Sequence, residues 1–173
     1  MARAESTDFL HSMKFAVTAT KLDGTSPLVG LEGRSVTDQG GFSACTTPEM
    51  TVEAVEYKEG TMIYTRKYPG NPSMSDLTLS RGVALKDSVF WNWTKQVVEG
   101  VGDYRVTLDI RHQHRAEALS GRTVKAARLY KVEEAFPMRC KVAADLDATA
   151  SEVSIAELDI SYERFDVLIS NAP

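Results

Sequence analysis

The sequence has only two cysteines in 173 residues, Cys45 and Cys140, and neither belongs to a CxxC pair or to histidine at ligand spacing. That excludes a disulfide framework, and the two thiols are expected to be reduced and partly buried. Excess basic charge is missing too: 20 Lys and Arg against 24 Asp and Glu leave a net charge of −4. This argues against a nucleic-acid surface built on a general basic excess. No apolar window is long enough to span a bilayer, and the N-terminal stretch MARAESTDFLHSMKF lacks a signal-peptide core. Synthesis in the cytosol, with no membrane insertion by this chain, is the expectation.

Candidates for chemistry are equally scarce. His112 and His114 stand two apart and share a face on a strand, but no third metal ligand accompanies them, so they read as a surface pair. Cys45 could in principle work with His11 or His112, yet no nucleophile motif surrounds any of them. Asp145-Leu146-Asp147 lacks the glycine and closing glutamate of a calcium loop and reads as a turn. Gly100-Val101-Gly102 follows a helix instead of preceding one, so it is no phosphate cradle. The expectation is no catalytic residue, no metal and no cofactor: a chain that is not an enzyme.

What is present is an ordinary globular composition, 43% hydrophobic and 25% charged, in a length that suits one domain, 1–173. Strand patterning dominates. Met13, Phe15 and Val17 alternate with Lys14, Ala16 and Thr18, a half-buried strand within 9–20. The stretch 21–40 is an extended Gly-rich and polar loop. Strand character returns at 42–46 and at 51–57, where Val52 and Val55 are the apolar positions. Glu59-Gly60 and Pro69-Gly70-Asn71-Pro72 are breakers around a strand-like 62–68, so 59–72 is expected to project as a hairpin arm. Within 73–82, Leu77, Leu79 and Arg81 alternate with Asp76, Thr78 and Ser80.

One helix is expected over about 87–99, capped by Asp87 or Ser88 and stopped by Gly100. Phe90, Trp93 and Val97 make its apolar stripe and its core anchors. The aromatics there are either core or a ligand-stacking platform. Beyond it, Tyr104, Val106, Leu108 and Ile110 alternate with polar residues, a turn is expected at 117–121, and strands follow at 123–130 and 132–142. Pro137 lacks a ladder donor and belongs at an edge or a bulge. The last strand, 152–165, breaks parity between Val153/Ile155 and Leu158/Ile160/Tyr162, which a β-bulge near Ala156-Glu157 would reconcile. Glu157, Asp159, Ser161 and Glu163 share its polar face. The fold class is mainly β: an antiparallel β-barrel or two-sheet sandwich with one flanking helix.

The order of several short pieces resembles the tail tube proteins of contractile phages and the inner tube proteins of related contractile injection systems. The pieces are Phe15, Gly41-Phe42-Ser43, Glu56-Tyr57-Lys58-Glu59-Gly60, Pro69-Gly70, Leu77-Thr78-Leu79-Ser80-Arg81-Gly82, Trp91-Asn92-Trp93 and Ala135-Phe136-Pro137. The runs Asp145-Leu146-Asp147-Ala148 and Ile155-Ala156-Glu157-Leu158 complete them, so the likeness covers 9–165. Two departures stand out: 21–40 is longer than the turn usual there, and Phe136 replaces a frequent Trp.

The resemblance implies a structural subunit forming hexameric rings that stack into a hollow tube, with DNA or protein cargo in the lumen. Implied partners are further copies of itself, a sheath protein, baseplate or spike proteins and a tape-measure protein. The particle would be a virion tail or an injection particle expelling its tube on contraction. Ring stacking is expected to use the N-terminal arm (1–9) with Phe9, and the projecting arm with Glu59, Gly60, Met62, Tyr64, Arg66, Tyr68, Pro69, Gly70 and Pro72. Glu157, Asp159 and Glu163 either face the lumen or form a solvated strand face. Two other readings stay open: a haemolysin-coregulated-type tube protein of a type VI secretion apparatus, and a small-ligand-binding β-barrel module with a cavity near Trp91 and Trp93.

Overall fold

The computed structural model describes residues 15–21, 42–60, 62–83, 88–100, 104–113, 126–144, 146 and 153–169. The expected N-terminal arm with Phe9, nearly all of the 21–40 loop, the turn at 117–121, and His11, Asp87, His114, Asp145 and Asp147 lie outside them. Among the described residues the order is β1 (Phe15–Lys21), β2 (Phe42–Cys45), β3 (Met50–Tyr57), β4 (Arg66–Met74), β5 (Leu77–Gly82), α1 (Val89–Glu99), β6 (Val106–Gln113), β7 (Ala126–Lys141), β8 (Ile155–Ser161) and β9 (Arg164–Ile169).

Period-two alternation builds the body. Leu77, Leu79 and Arg81 of β5 are buried while Thr78, Ser80 and Gly82 are half-exposed, and Val106, Leu108 and Ile110 do the same on β6. All pairings are antiparallel, along the path β1-β6-β7-β8-β5-β2, with β9 added to β7. The 16-residue β7 belongs to two layers. Its first half pairs with β6 and β9, its second with β8. The inner faces of both layers share one apolar cluster, including Val17, Leu108 and Val132 from one layer and Leu77, Leu158 and Ile160 from the other. Full burial of each such side chain stabilises by about 1.5–3 kcal/mol.

The crossover in β7 has a local cause. Val106 pairs with Ala135 but Leu108 pairs with Val132, so β7 carries one extra residue, and Glu134 there adopts φ 56°. Bulges of this kind sharpen the bend of a strand. A second shift falls between Pro137 and Arg139, which puts the proline at a bulge.

Of the barrel or two-sheet sandwich expected, the architecture is the two-layer sandwich: among the described residues β1 and β2 have no second strand partner. Two expectations need correction. No bulge interrupts 156–157, because β5 and β8 stay in register from Leu77↔Ile160 to Gly82↔Ile155. Val153 and Ile155 break parity because both face outward, 75% and 40% exposed. The last strand is two: β8 turns at Tyr162-Glu163 into β9, which doubles back on β7.

The helix shows both cap behaviours. Gly100 takes φ 64° and its N–H donates to Gln96 O and Val97 O, as a left-handed stop requires. Ser88 is the N-cap residue but makes no side-chain capping bond; its Oγ instead accepts from Asn92 Nδ2 at 3.0 Å. Phe90 and Trp93 are buried, Val97 is half-buried, and Trp93 Nε1 donates to Tyr104 O at 2.7 Å. Trp91, two residues away, is 52% exposed.

Candidate assembly surfaces

The segment 59–72, expected as an arm, falls within a longer hairpin made by β3 and β4. Strand β3 pairs with β4, Met50↔Met74 to Tyr57↔Arg66, and among the described residues this ribbon hydrogen-bonds to no third strand. Pro69, Gly70, Asn71 and Pro72, read as breakers, lie inside β4. A two-stranded ribbon has only one ladder, so a proline there can turn its missing donor outward. One extra residue sits between Pro69 and Pro72, opposite Glu53. Gly70 is required at this point, since a Cβ would lie 2.9 Å from Glu53 O.

Every residue of β3 is exposed. One ribbon face carries Met50, Val52 and Ala54 opposite Met74, Pro72 and Pro69. The other carries Val55 opposite Tyr68 and Tyr57 opposite Arg66, with Lys67 and Glu56 paired at 3.3 Å on the first. At the tip, Ile63 and Tyr64 are 86% and 83% exposed. An isolated two-stranded hairpin is marginal in water, and this one leaves apolar side chains uncovered on both faces. Of the residues expected in ring stacking, Glu59, Gly60, Met62, Tyr64, Arg66, Tyr68, Pro69, Gly70 and Pro72 all lie on this ribbon or its turn. Its root is pinned: Ser75 N–H donates to Glu49 O at 3.1 Å, and Glu49 N–H donates to Tyr162 Oη at 3.3 Å.

Open strand edges form a second surface. Besides β1 and β2, the outer side of β9 and that of 136–141 have no described partner. On β9, Val167, Leu168 and Ile169 are consecutive and exposed. Unpaired edges bearing apolar residues invite strand addition.

Glu157 and Asp159 stand on the outer face of β8, and neither charge is alone. Arg139 Nη1 lies 2.7 Å from Asp159 Oδ2 and Nη2 lies 3.5 Å from Glu157, while Lys141 is the register partner of Glu157. Thr78 Oγ1 donates to Asp159 Oδ1 at 2.9 Å. Hydrogen bonding from Arg139 holds the Asp159 carboxyl below the usual carboxylate range, with Thr78 helping. Glu163 pairs with Arg105, which also reaches Glu134 at 3.3 Å. The face is polar and locally balanced in charge, which the one-strand pattern concealed because Arg139 and Lys141 come from β7.

A shallow cleft opens where α1 meets the far end of the sheet, lined by Arg81, Val83, Phe90, Trp91, Val142 and Ala156, with room of only about 20 Å³. Arg81 is buried with its guanidinium 4.1 Å above the Phe90 ring. Of the cavity expected near Trp91 and Trp93 under the ligand-binding reading, Trp91 lines this cleft, beside residues from the ends of β5, β7 and β8 that the local pattern did not single out. Trp93 takes no part in it. Among the described residues no group of three or more His, Cys, Asp or Glu could hold a metal, and no helix is long and apolar enough to cross a membrane.

Comparison with known proteins gives the family and the fold. The family model for T4-like virus tail tube protein gp19 matches residues 11–166. Among solved structures, a chain in the cryo-EM structure of the anti-feeding prophage baseplate is similar with a TM-score of 0.75 and 16% identity, covering 96% of this chain and 99% of that one. A chain of the sheath–tube complex of the PVC extracellular contractile injection system, in its extended state, gives 0.71 and 15%, covering 97% and 99%. The Hcp1 protein of E. coli EAEC 042 gives 0.53 and 11%, covering 92% and 94%. At these identities the likeness is one of fold. No curated protein matches the sequence significantly.

Proposed function

The chain belongs to the family of T4-like virus tail tube proteins, a structural subunit of a phage tail or phage-like injection particle, and we propose that its copies close into hexameric rings stacked head to tail. The observation that carries this reading is the β3–β4 ribbon, an apolar arm that pairs with no third strand among the described residues and leaves its apolar side chains exposed. Closing copies into a ring satisfies strand edges, while a head-to-tail contact between rings does not close and propagates a filament.

Within that assembly the ring-to-ring contact belongs to the arm, including Tyr64 and Tyr68, together with the N-terminal arm. The outer face of β8 is the candidate lumen wall. Its balanced pairs, Arg139 with Asp159 and Glu157, offer a passing polymer little net charge to adhere to. Sheath, baseplate or spike, and tape-measure proteins are the further partners, and DNA or protein is the cargo. The subunit is made in the cytosol, works without cofactor or catalysis, and leaves with the tube on contraction.

Sedimentation velocity with negative-stain microscopy tests the reading on purified protein. Rings and tubes of uniform width, formed without added ligand, are expected. A chain that stays monomeric at the highest attainable concentration overturns it.

A further inference from the structure

We propose that the cargo is polypeptide, and that the outer face of the layer formed by β2, β5, β8 and the second half of β7 is a charge-compensated wall suited to a chain of both signs. The proposal rests on the tube reading and names what passes through.

Rows across the ladder define the face. Thr78 of β5, Asp159 of β8 and Arg139 of β7 form one row, and Ser80, Glu157 and Lys141 form the next. Ala44 of β2 lies opposite Ser80, and Ser43 Oγ donates to Ser80 O at 3.1 Å. Within these rows two acids meet two bases among hydroxyls. Met138, at the β7 bulge, is the apolar exception and is 55% exposed. The whole chain carries a net charge of −4, whereas the charges of these rows cancel. At the turn beyond β8, Glu163 is matched in the same way by Arg105.

Compensation of this kind matters only for a cargo that carries cations. Phosphates adhere through Lys and Arg, so a wall that guides nucleic acid needs acids or nothing, and gains nothing from bases. Arg139, set 2.7 Å from Asp159 and 3.5 Å from Glu157, occupies the acids where Lys or Arg of a passing chain would lodge. Nucleic acids have no such groups; polypeptides do. Sheet stability does not account for the pairs, since exposed ion pairs contribute little. The Arg139 and Glu157 side chains are 56% and 39% exposed. Close pairs also act as small dipoles, whose field fades faster than that of a lone charge within the roughly 8 Å screening length of physiological salt. Any uncompensated charge here would recur in every stacked copy, and such contacts multiply.

Tubes of the full chain, assembled with fluorescent probes and pelleted through a cushion, test this. The probes are oligothymidine, polylysine, polyglutamate and, as the neutral reference, polyethylene glycol. Wild-type tubes are expected to retain every charged probe within about twofold of the neutral one. Glu157→Gln/Asp159→Asn should raise retention of oligothymidine and polyglutamate by roughly tenfold, and Arg139→Gln/Lys141→Gln should do the same for polylysine. Binding to the outside of the tube is common to all three proteins, so their differences read this face. Capture or exclusion of oligothymidine by wild-type tubes, by about fivefold or more, overturns the proposal and points to a nucleic-acid channel. Variants that retain all probes as the wild type does show that the face is not the wall, and leave the tube reading standing. The wild-type comparison decides by itself if either variant fails to form tubes. A wild-type chain that never polymerises removes both readings.

Discussion

Arg139 and Asp159 face each other across the β7–β8 ladder with Nη1 and Oδ2 2.7 Å apart. The pair ties together two strands of the layer that also carries the cleft, and it neutralises the most strongly held carboxylate on the outer face. Because Asp159 binds its proton less tightly folded than unfolded, its contribution to stability is present above its ordinary value of 3.8 and is lost as pH falls below that. Asp159→Asn should therefore flatten the fall of Tm on the acid side of pH 4 without removing it. Glu133, held low chiefly by its bond from Arg164, keeps part of the slope. Identical acid limbs for wild type and variant would show that Asp159 carries none of this dependence.

The two tryptophans of α1 should behave oppositely. Trp93 is 1% exposed and donates to Tyr104 O. Trp93→Ala is expected to cost about 3–5 kcal/mol in urea unfolding, from the cavity and the orphaned carbonyl. Trp91→Ala should change stability by no more than about 0.5–1 kcal/mol, since its ring is half in solvent. Equal losses would contradict the burial pattern.

Gly70 makes a local prediction. Its missing Cβ leaves room for Glu53 O at 2.9 Å and Val55 Cγ2 at 3.0 Å. Gly70→Ala should speed amide exchange in β3 and β4, through a local strain of about 1–3 kcal/mol. Global Tm should hold, because among the described residues the ribbon shares no ladder with the body. A drop in global Tm matching the ribbon's loss would mean that the arm and body unfold as one unit.

The cysteines should be inert while the protein is folded. Cys45, Leu79, Leu158 and Cys140 form one row across β2, β5, β8 and β7. Three inter-strand steps put the thiol residues roughly 14 Å apart, about twice the Cα separation a disulfide tolerates. Burial pushes the Cys45 thiol up to about 12, and burial also raises Cys140. Alkylation at pH 8 should label neither appreciably until urea unfolds the chain, and reductant should leave Tm unchanged. Rapid labelling of Cys45 in the native state would contradict this.

Much of the body was legible because period-two alternation reports burial directly: Leu77/Leu79, Val106/Leu108/Ile110 and Leu158/Ile160 all face the core as their spacing implies. The Phe90/Trp93 stripe and the Gly100 stop were equally plain. Where local pattern failed, a long-range partner decided. Pro69 and Pro72 look like loop residues until β3 supplies a ladder that needs no donor from them. Val153 and Ile155 looked like core out of phase, whereas they are aliphatics left outside at a sheet end. The charge balance of Glu157 and Asp159 depends on Arg139, distant in sequence and invisible to any reading of β8 alone.

The arm can be excised cleanly, because Glu49 O and Ser75 N–H are already bonded at its root, so a short Gly-Ser link can replace 50–74. Negative-stain microscopy of that variant beside the wild type is the direct measurement. The expected result is a folded body with wild-type melting that forms rings but no tubes. Tubes of normal length and abundance from the armless chain would contradict assembly through the arm.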